Sequence, residues 1–537
     1  MEFQYPTRLL YVGTFEGSHS IRVCESRDLL SRPRYATLSH CWGGIETGKL
    51  TSSEYATYKQ GVPISDLPKN FRDAIALTRA LGIEYLWIDS LCIIQDSAQD
   101  WDRECTLMSD VYGGSFINIA ANAASNANGG IFQDRDPMTV TPLKARMTFR
   151  ANRWLQRMFA IFPHSWDLGA LDYAPLSGRA WAVQERLLAP RTIHFLSHKV
   201  IWECSSLQAS ESDTTGVLEK GVGNWSDIQR WALPSPRDHI LFHREAACLW
   251  KWYVAVRTYT RGNLTFSSDK LIAISGVAKF LKDMWRDDSV RYLAGLWSYQ
   301  LETSLVWSNN KGTPVAEEGY RAPTWSWASV NGPVHKTFYY HESRYELLSK
   351  VLEAYTEPIN DEFGAVRAGY LKISGPLCRL QICRIDTEQP SLRFSLMIAS
   401  TGHTLQSHGF HLDTGRDIYR QNYAASIDCV LAGIYKSLDI TAVPMSGLVL
   451  QPTGEKNGQY TRIGSFEIDD WRPRNHNEEE AFHRLRNQFG RRDSNTPDPY
   501  QTNDYMRIEE AFESMDLPSN MYESKNEATF KYSFEII

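Results

Sequence analysis

Residue types suited to chemistry fall at three places in this chain. The first is Ser39, His40 and Cys41, a hydroxyl, an imidazole and a thiol in a row. Successive residues of an extended segment point to opposite faces, so neighbours do not make a nucleophile–base dyad. Ser39 or Cys41 as a nucleophile therefore needs a distant partner, and Asp89, Cys92 and His194 are the candidates if the strands ending at 39 and 89 are adjacent. The plainer alternative is a polar turn at a strand end with a small buried cysteine. His40, Cys41, Asp89 and Cys92 lack a recognised ligand spacing, so no metal site is expected. The second place is Gly43 to Lys49, which matches G-x-x-x-x-G-K. Leu50 follows where a magnesium-binding loop needs Ser or Thr, and Thr51-Ser52-Ser53 opens no amphipathic helix, so the segment reads as a turn. The third is Trp181 and Glu185, at i and i+4 on one helix face with Gln184 and Leu188 beside them. An indole wall beside a carboxylate could pack a flat base and bind ribose hydroxyls; the alternative is a core tryptophan and a glutamate paired with Arg179 or Arg186.

The elements that must position these groups alternate. Tyr35 to Ser39 reads as a strand ending in the turn-prone Trp42-Gly43-Gly44. Phe71, Ala74, Ile75, Thr78 and Leu81 share one helical face, and Gly82 closes that helix. Tyr85 to Asp89 reads as a strand buried on both faces, Ser97 to Tyr112 as a helix with Ser97 and Asp100 in capping-box spacing, and Phe116 to Ala120 as a further strand. This β-α-β-α-β order favours a mostly parallel sheet covered by helices, with ligands at the carboxyl ends of the strands. Ser177 is placed as the cap of a helix from Gly178 to Leu188, ended by Pro190, before strands at 191–197 and 200–204.

The domain reading that follows is a lead-in at 1–30, an α/β domain at 31–210, a helical, tryptophan-rich region at 225–335, a β-rich domain at 336–470 and a charged, partly disordered tail at 471–537. With 57 basic and 63 acidic residues the net charge is −6, which argues against a nucleic-acid partner held by phosphate neutralisation. No signal-like h-region and no long apolar run point to a chain without a membrane span. Nine scattered cysteines without a C-x-x-C pair point to free thiols and a cytoplasmic setting.

Three blocks, Tyr35 to Gly44, Leu67-Pro68 through Tyr85 to Asp96, and Arg179 to Arg186, together resemble the fungal heterokaryon-incompatibility (HET) domain. Two later segments, Tyr259 to Leu271 and Ala322 to Ser329, resemble the extension of larger family members, so the resemblance covers roughly residues 30 to 335. It implies an intracellular role in non-self recognition and regulated cell death, with self-association or an allelic signalling protein as partner. HET domains are thought to be distant relatives of TIR domains, which have a flavodoxin-like parallel sheet and in some lineages cleave NAD⁺. In catalytic TIR domains the essential glutamate lies four residues beyond a tryptophan on a helix, and Trp181 and Glu185 are similar in spacing. The resemblance thus implies a TIR-like fold and Glu185 as a catalytic residue; beside it, Ser39, His40, Trp42, Asp89, Arg179 and Trp181 are read as lining the pocket, and Cys41 is the alternative nucleophile. NAD⁺ would be the substrate and no cofactor is called for. A non-catalytic signalling or scaffold module and a Cys/Ser hydrolase are the alternatives.

Overall fold

Four parallel strands carry the first part of the chain. In the computed structural model they are β3 (Tyr35–Ser39), β5 (Tyr85–Ile88), β6 (Ile117–Ala120) and β9 (Arg191–Phe195), lying side by side in the order β9-β6-β3-β5. The structure describes all residues except 1–2, 15–17, 45–47, 142, 151–153, 162–168, 205–206, 213, 215–243, 310–318, 337–344, 386–392, 399–403, 406–408, 414–426, 438–444, 469–516, 527–528 and 530. Two units divide it, Met1–Met284 and Trp285–Ile537.

In the first unit the parallel core is extended by antiparallel strands on both flanks, so the nine-stranded sheet is mixed. β1 (Arg8–Tyr11), β2 (Ser20–Glu25) and β4 (Val62–Pro63) follow β5 on one side, while β10 (Val200–Cys204) and β11 (Gln208–Ser210) follow β9 on the other. The first 30 residues, read from sequence as a lead-in, therefore supply two of the strands. A separate ribbon pairs β7 (Leu143–Arg150) with β8 (Trp154–Ile161). β3 and β6 are buried on both faces, as parallel strands between helices must be, and are apolar apart from Thr37, Ser39 and Asn118. Residue for residue, Leu38 pairs with Ile88 and Ser39 with Ala120, which sets the carboxyl ends of β3, β5 and β6 level.

Helices follow the strands. They are α1 (Tyr55–Gln60), α2 (Lys69–Ala80), the single turn α3 (Asp89–Cys92), α4 (Ala98–Gly113), α5 (Gly169–Asp172), α6 (Ala180–Leu188), α7 (Arg244–Tyr259) and α8 (Ile272–Trp285). Ser97 caps α4 by accepting from the Asp100 N–H at 3.3 Å, as its spacing predicts. Leu81, placed on the buried face of α2, is instead exposed just past the helix end. Ser177 does not cap α6. Pro175 starts a 3-10 turn over Pro175–Gly178, the Ser177 hydroxyl donates to Leu171 O, and extended Arg179 precedes the helix. Pro190 holds Ala189 extended and ends it.

The second unit contains, among the described residues, a twelve-stranded sheet. Its final strand, Lys531–Ile536, lies between Val366–Gly375 and Gln459–Ile468 and buries Tyr532, Phe534 and Ile536. This strand falls in the stretch read as a charged tail; residues 471–516 of that stretch lie outside the described residues. Arg462 is wholly buried in this unit, with its guanidinium 3.3 Å from the Trp307 ring centre and bonded to Asp413 at 2.8 Å.

Gly43 and Gly44 form the turn after β3 with φ of 65° and 71°. A side chain at Gly43 would stand 2.2 Å from Asn126 Cβ and 2.7 Å from Asn126 Cα, whereas one at Gly44 meets open space. Gly44→Ala should cost only the left-handed strain, about 1 kcal/mol, and Gly43→Ala clearly more, roughly 2–4 kcal/mol. Thermal melts of the two variants compare these directly.

Candidate functional site

α6 lays its side chains across the carboxyl ends of β3 and β6, packing between α4 and α7. Gln184 Oε1 accepts the Gly276 N–H of α8 at 2.8 Å, which fixes the helix rotation. That rotation buries Glu185, 2% exposed. Burial is the main influence on its carboxyl and raises it from 4.5 to about 7. Arg179 pulls in the opposite direction, Asp89 adds to the rise, and the Ser39 and Tyr112 hydroxyls favour the charged form. Even so, Glu185 Oε2 and Tyr112 Oη close no well-formed hydrogen bond among the described residues.

Ser39 and Thr37 both donate to Asn118 Oδ1, at 3.1 and 3.0 Å, leaving Asn118 Nδ2 buried and unpartnered. Arg179 donates to the His40 carbonyl. His40 itself is buried edge-on against Phe71, with Nδ1 3.8 Å from Asp89 Oδ1. Burial lowers it to about 4 despite Asp89, so the ring is neutral at physiological pH. Asp89 opens α3 and accepts from Trp42 Nε1 at 2.9 Å and from the Ser90 N–H at 2.8 Å. The first of these ties the Trp42 indole to Asp89, which follows directly on β5.

Of the residues singled out from sequence, the fold thus brings Ser39, His40, Trp42, Asp89, Arg179 and Glu185 to one edge of the sheet. Trp181 lies elsewhere. Its indole hydrogen-bonds Asp269 and packs on the core, so it is not a free wall beside the carboxylate. Cys41 is buried near Glu185, and burial raises its thiol, outweighing Arg179, so it is no activated thiolate. Cys92 is pushed up to about 12 by burial. Two site neighbours were not picked out by spacing, Tyr112 and Asn118. The signal for Asn118 is an amide in a four-residue strand that is otherwise apolar.

Beyond α6 a second polar group begins. Arg186 grips Glu203 with two hydrogen bonds of 2.8 and 2.5 Å, and His194 Nε2 meets the same carboxylate at 2.7 Å. Burial pushes Glu203 up, but Arg186 and His194 outweigh it and hold the group at about 2. Between this chain and Ser39 lies a cavity of about 30 Å³, lined also by Asn118 and Asn122. It has room for about two waters, and ligand pockets start near 300 Å³.

A mixed α/β domain with a buried, near-neutral carboxyl at the carboxyl edge of its parallel strands is the class these observations define. Residues 35–185 match the family described as heterokaryon incompatibility protein (HET), so the chain carries a HET domain. The match opens at the first residue of β3 and closes on Glu185 itself. No curated protein and no solved structure matches the chain. Among the described residues, no helix is long and apolar enough to cross a membrane.

A carboxyl raised from 4.5 to about 7 keeps its proton in the folded protein where the unfolded chain has released it. Stability therefore falls as pH rises between those values, and the loss is complete above pH 7. Glu185→Gln removes the charge, so its melting temperature relative to the parent should climb from pH 5 to pH 8, by up to roughly 3 kcal/mol equivalent. A difference that stays flat with pH would show that the carboxyl is not desolvated.

Proposed function

We propose that this chain is an intracellular effector of heterokaryon-incompatibility type, acting in non-self recognition and regulated cell death. In this reading its TIR-like domain cleaves NAD⁺ to nicotinamide and ADP-ribose. The observation that carries the reading is Glu185, buried at the strand ends, near-neutral in titration and with one oxygen unpartnered. The strand order β9-β6-β3-β5 adds support, because it places the carboxyl beside the β3/β6 boundary, where the connections change direction and α/β sheets bind ligands.

The chemistry asks little more. The bond from ribose C1′ to the nicotinamide nitrogen breaks with its electron pair going to that nitrogen, which neutralises a cationic ring, so no general acid is required. Water then adds to C1′ and gives up one proton. The ionised Glu185 carboxylate stabilises the positive charge that develops on the ribosyl centre and orients the ribose hydroxyls. Arg179, bonded to the His40 carbonyl, is a neighbouring cation that favours the ionised form. Neutral His40, Ser39, Trp42 and Asp89 shape the mouth.

Glu185 is 2% exposed, so its carboxyl must be uncovered before a nucleotide can reach it. Self-association is the proposed trigger. The same burial favours a second reading, a signalling module that acts through partners without catalysis.

Purified protein, alone and with enforced oligomerisation, separates the two. Catalysis predicts nicotinamide release at a rate that rises through about pH 7, as the carboxyl ionises. Glu185→Gln should lower that rate by at least about 100-fold. No release in any state, together with unchanged cell killing by Glu185→Gln, would establish the non-catalytic reading.

A further inference from the structure

On the far side of β5 from Glu185, the first residues of the chain, the turn after β2, α1 and the first turns of α4 enclose a trough of about 990 Å³. This is the upper end of the range for small-molecule sites. Its floor is built around a buried cation. Arg8 is 3% exposed, and its Nε donates to Cys92 O at 2.7 Å while Nη2 donates to Asp100, with Glu104 3.6 Å away. Arg103, on the next turn of α4, shares the same two carboxylates, through Nε to Glu104 at 3.1 Å and through Nη2 to Asp100. Two arginines thus balance two carboxylates. In each guanidinium Nη1 keeps no hydrogen bond to any described residue, and both arginines line the trough.

The lip adds two more cations. Arg27 and Arg32 both face the trough. Arg27 has only a solvent-exposed contact with Asp28 at 3.9 Å, worth little at that exposure. Arg32 sits 5.9 Å from the Tyr5 ring centre, on a ring that also forms part of the wall. The opposing carboxylate, Glu25, already accepts from the Tyr55 hydroxyl. Ser26 Oγ is buried and has no partner among the described residues.

We propose that this trough binds a phosphate ester of nucleoside-diphosphate size. Guanidinium groups from β1, α4 and the turn after β2 suit phosphate oxygens, which accept planar paired donors. The volume exceeds what a free phosphate ion fills, and Tyr5 and Tyr55 supply apolar wall for the remainder of the ligand. The site is separate from Glu185, but the two share α3. Arg8 holds Cys92 O at one end of that turn, and Asp89 at the other end anchors Trp42.

Titration calorimetry on the full chain, with ADP, pyrophosphate and inorganic phosphate as probes, tests this. Expected is saturable single-site binding of ADP, weaker binding of pyrophosphate and weakest of phosphate. The double variant Arg27→Ala/Arg32→Ala changes only exposed side chains and should weaken ADP by at least about tenfold. Glu185→Gln should leave ADP affinity unchanged, which separates this site from the one proposed for NAD⁺. No saturable ADP binding at millimolar concentration would overturn the proposal. So would an unaltered affinity in the double variant, loss of ADP binding in Glu185→Gln, or an oligoglutamate peptide binding more tightly than ADP.

Discussion

The constraint on which the candidate site depends is the burial of one carboxyl beneath α6. Desolvation disfavours the Glu185 anion by enough to bring it to about 7, even with Arg179 nearby. A protein optimised only for stability would place an apolar side chain or a fully paired ion there. Glu203, on β10, shows the other solution: also buried, it is gripped by Arg186 and His194 and stays ionised down to about pH 2. The two glutamates have the same side chain and opposite titration because one has matched partners and the other does not. A buried carboxyl whose titration is raised in this way marks a candidate functional group.

The surrounding architecture keeps that carboxyl in place. β3 and β6 are buried on both faces, so their carboxyl ends cannot drift, and the Gln184 bond to Gly276 fixes the turn of α6 above them. The His40 backbone and Asp89 bring Arg179 and Trp42 to the same edge through one hydrogen bond each. The same packing leaves Glu185 only 2% exposed.

Much of this domain was legible in the sequence, for reasons that differ between elements. Tyr35 to Ser39 and Tyr85 to Ile88 stand out because doubly buried strands are short apolar runs, and Ser97 because a side-chain cap is a local bond. β1 has only four residues, and its pairing with β5 depends on contacts more than 70 positions away in the chain, which no local pattern reveals. Lys531–Ile536 does alternate, with Tyr532, Phe534 and Ile536 inward, but a charged approach hid it. At the site, helical spacing placed Trp181 and Glu185 on α6 without showing what each would meet. Asp269 claims the indole, and Ser39, Tyr112 and Asp89 surround the carboxyl. Those neighbours, and the volume between them, are set by long-range packing.

The ionisation of Glu185 itself is the most direct measurement. Carbon-13 NMR of the labelled side-chain carboxyls, assigned by comparison with Glu185→Gln, follows this group through a pH titration of the folded protein. The account predicts a midpoint near 7. A midpoint at the ordinary glutamate value of about 4.3 would mean that water reaches the carboxyl freely, and would contradict the buried site on which the proposed chemistry rests.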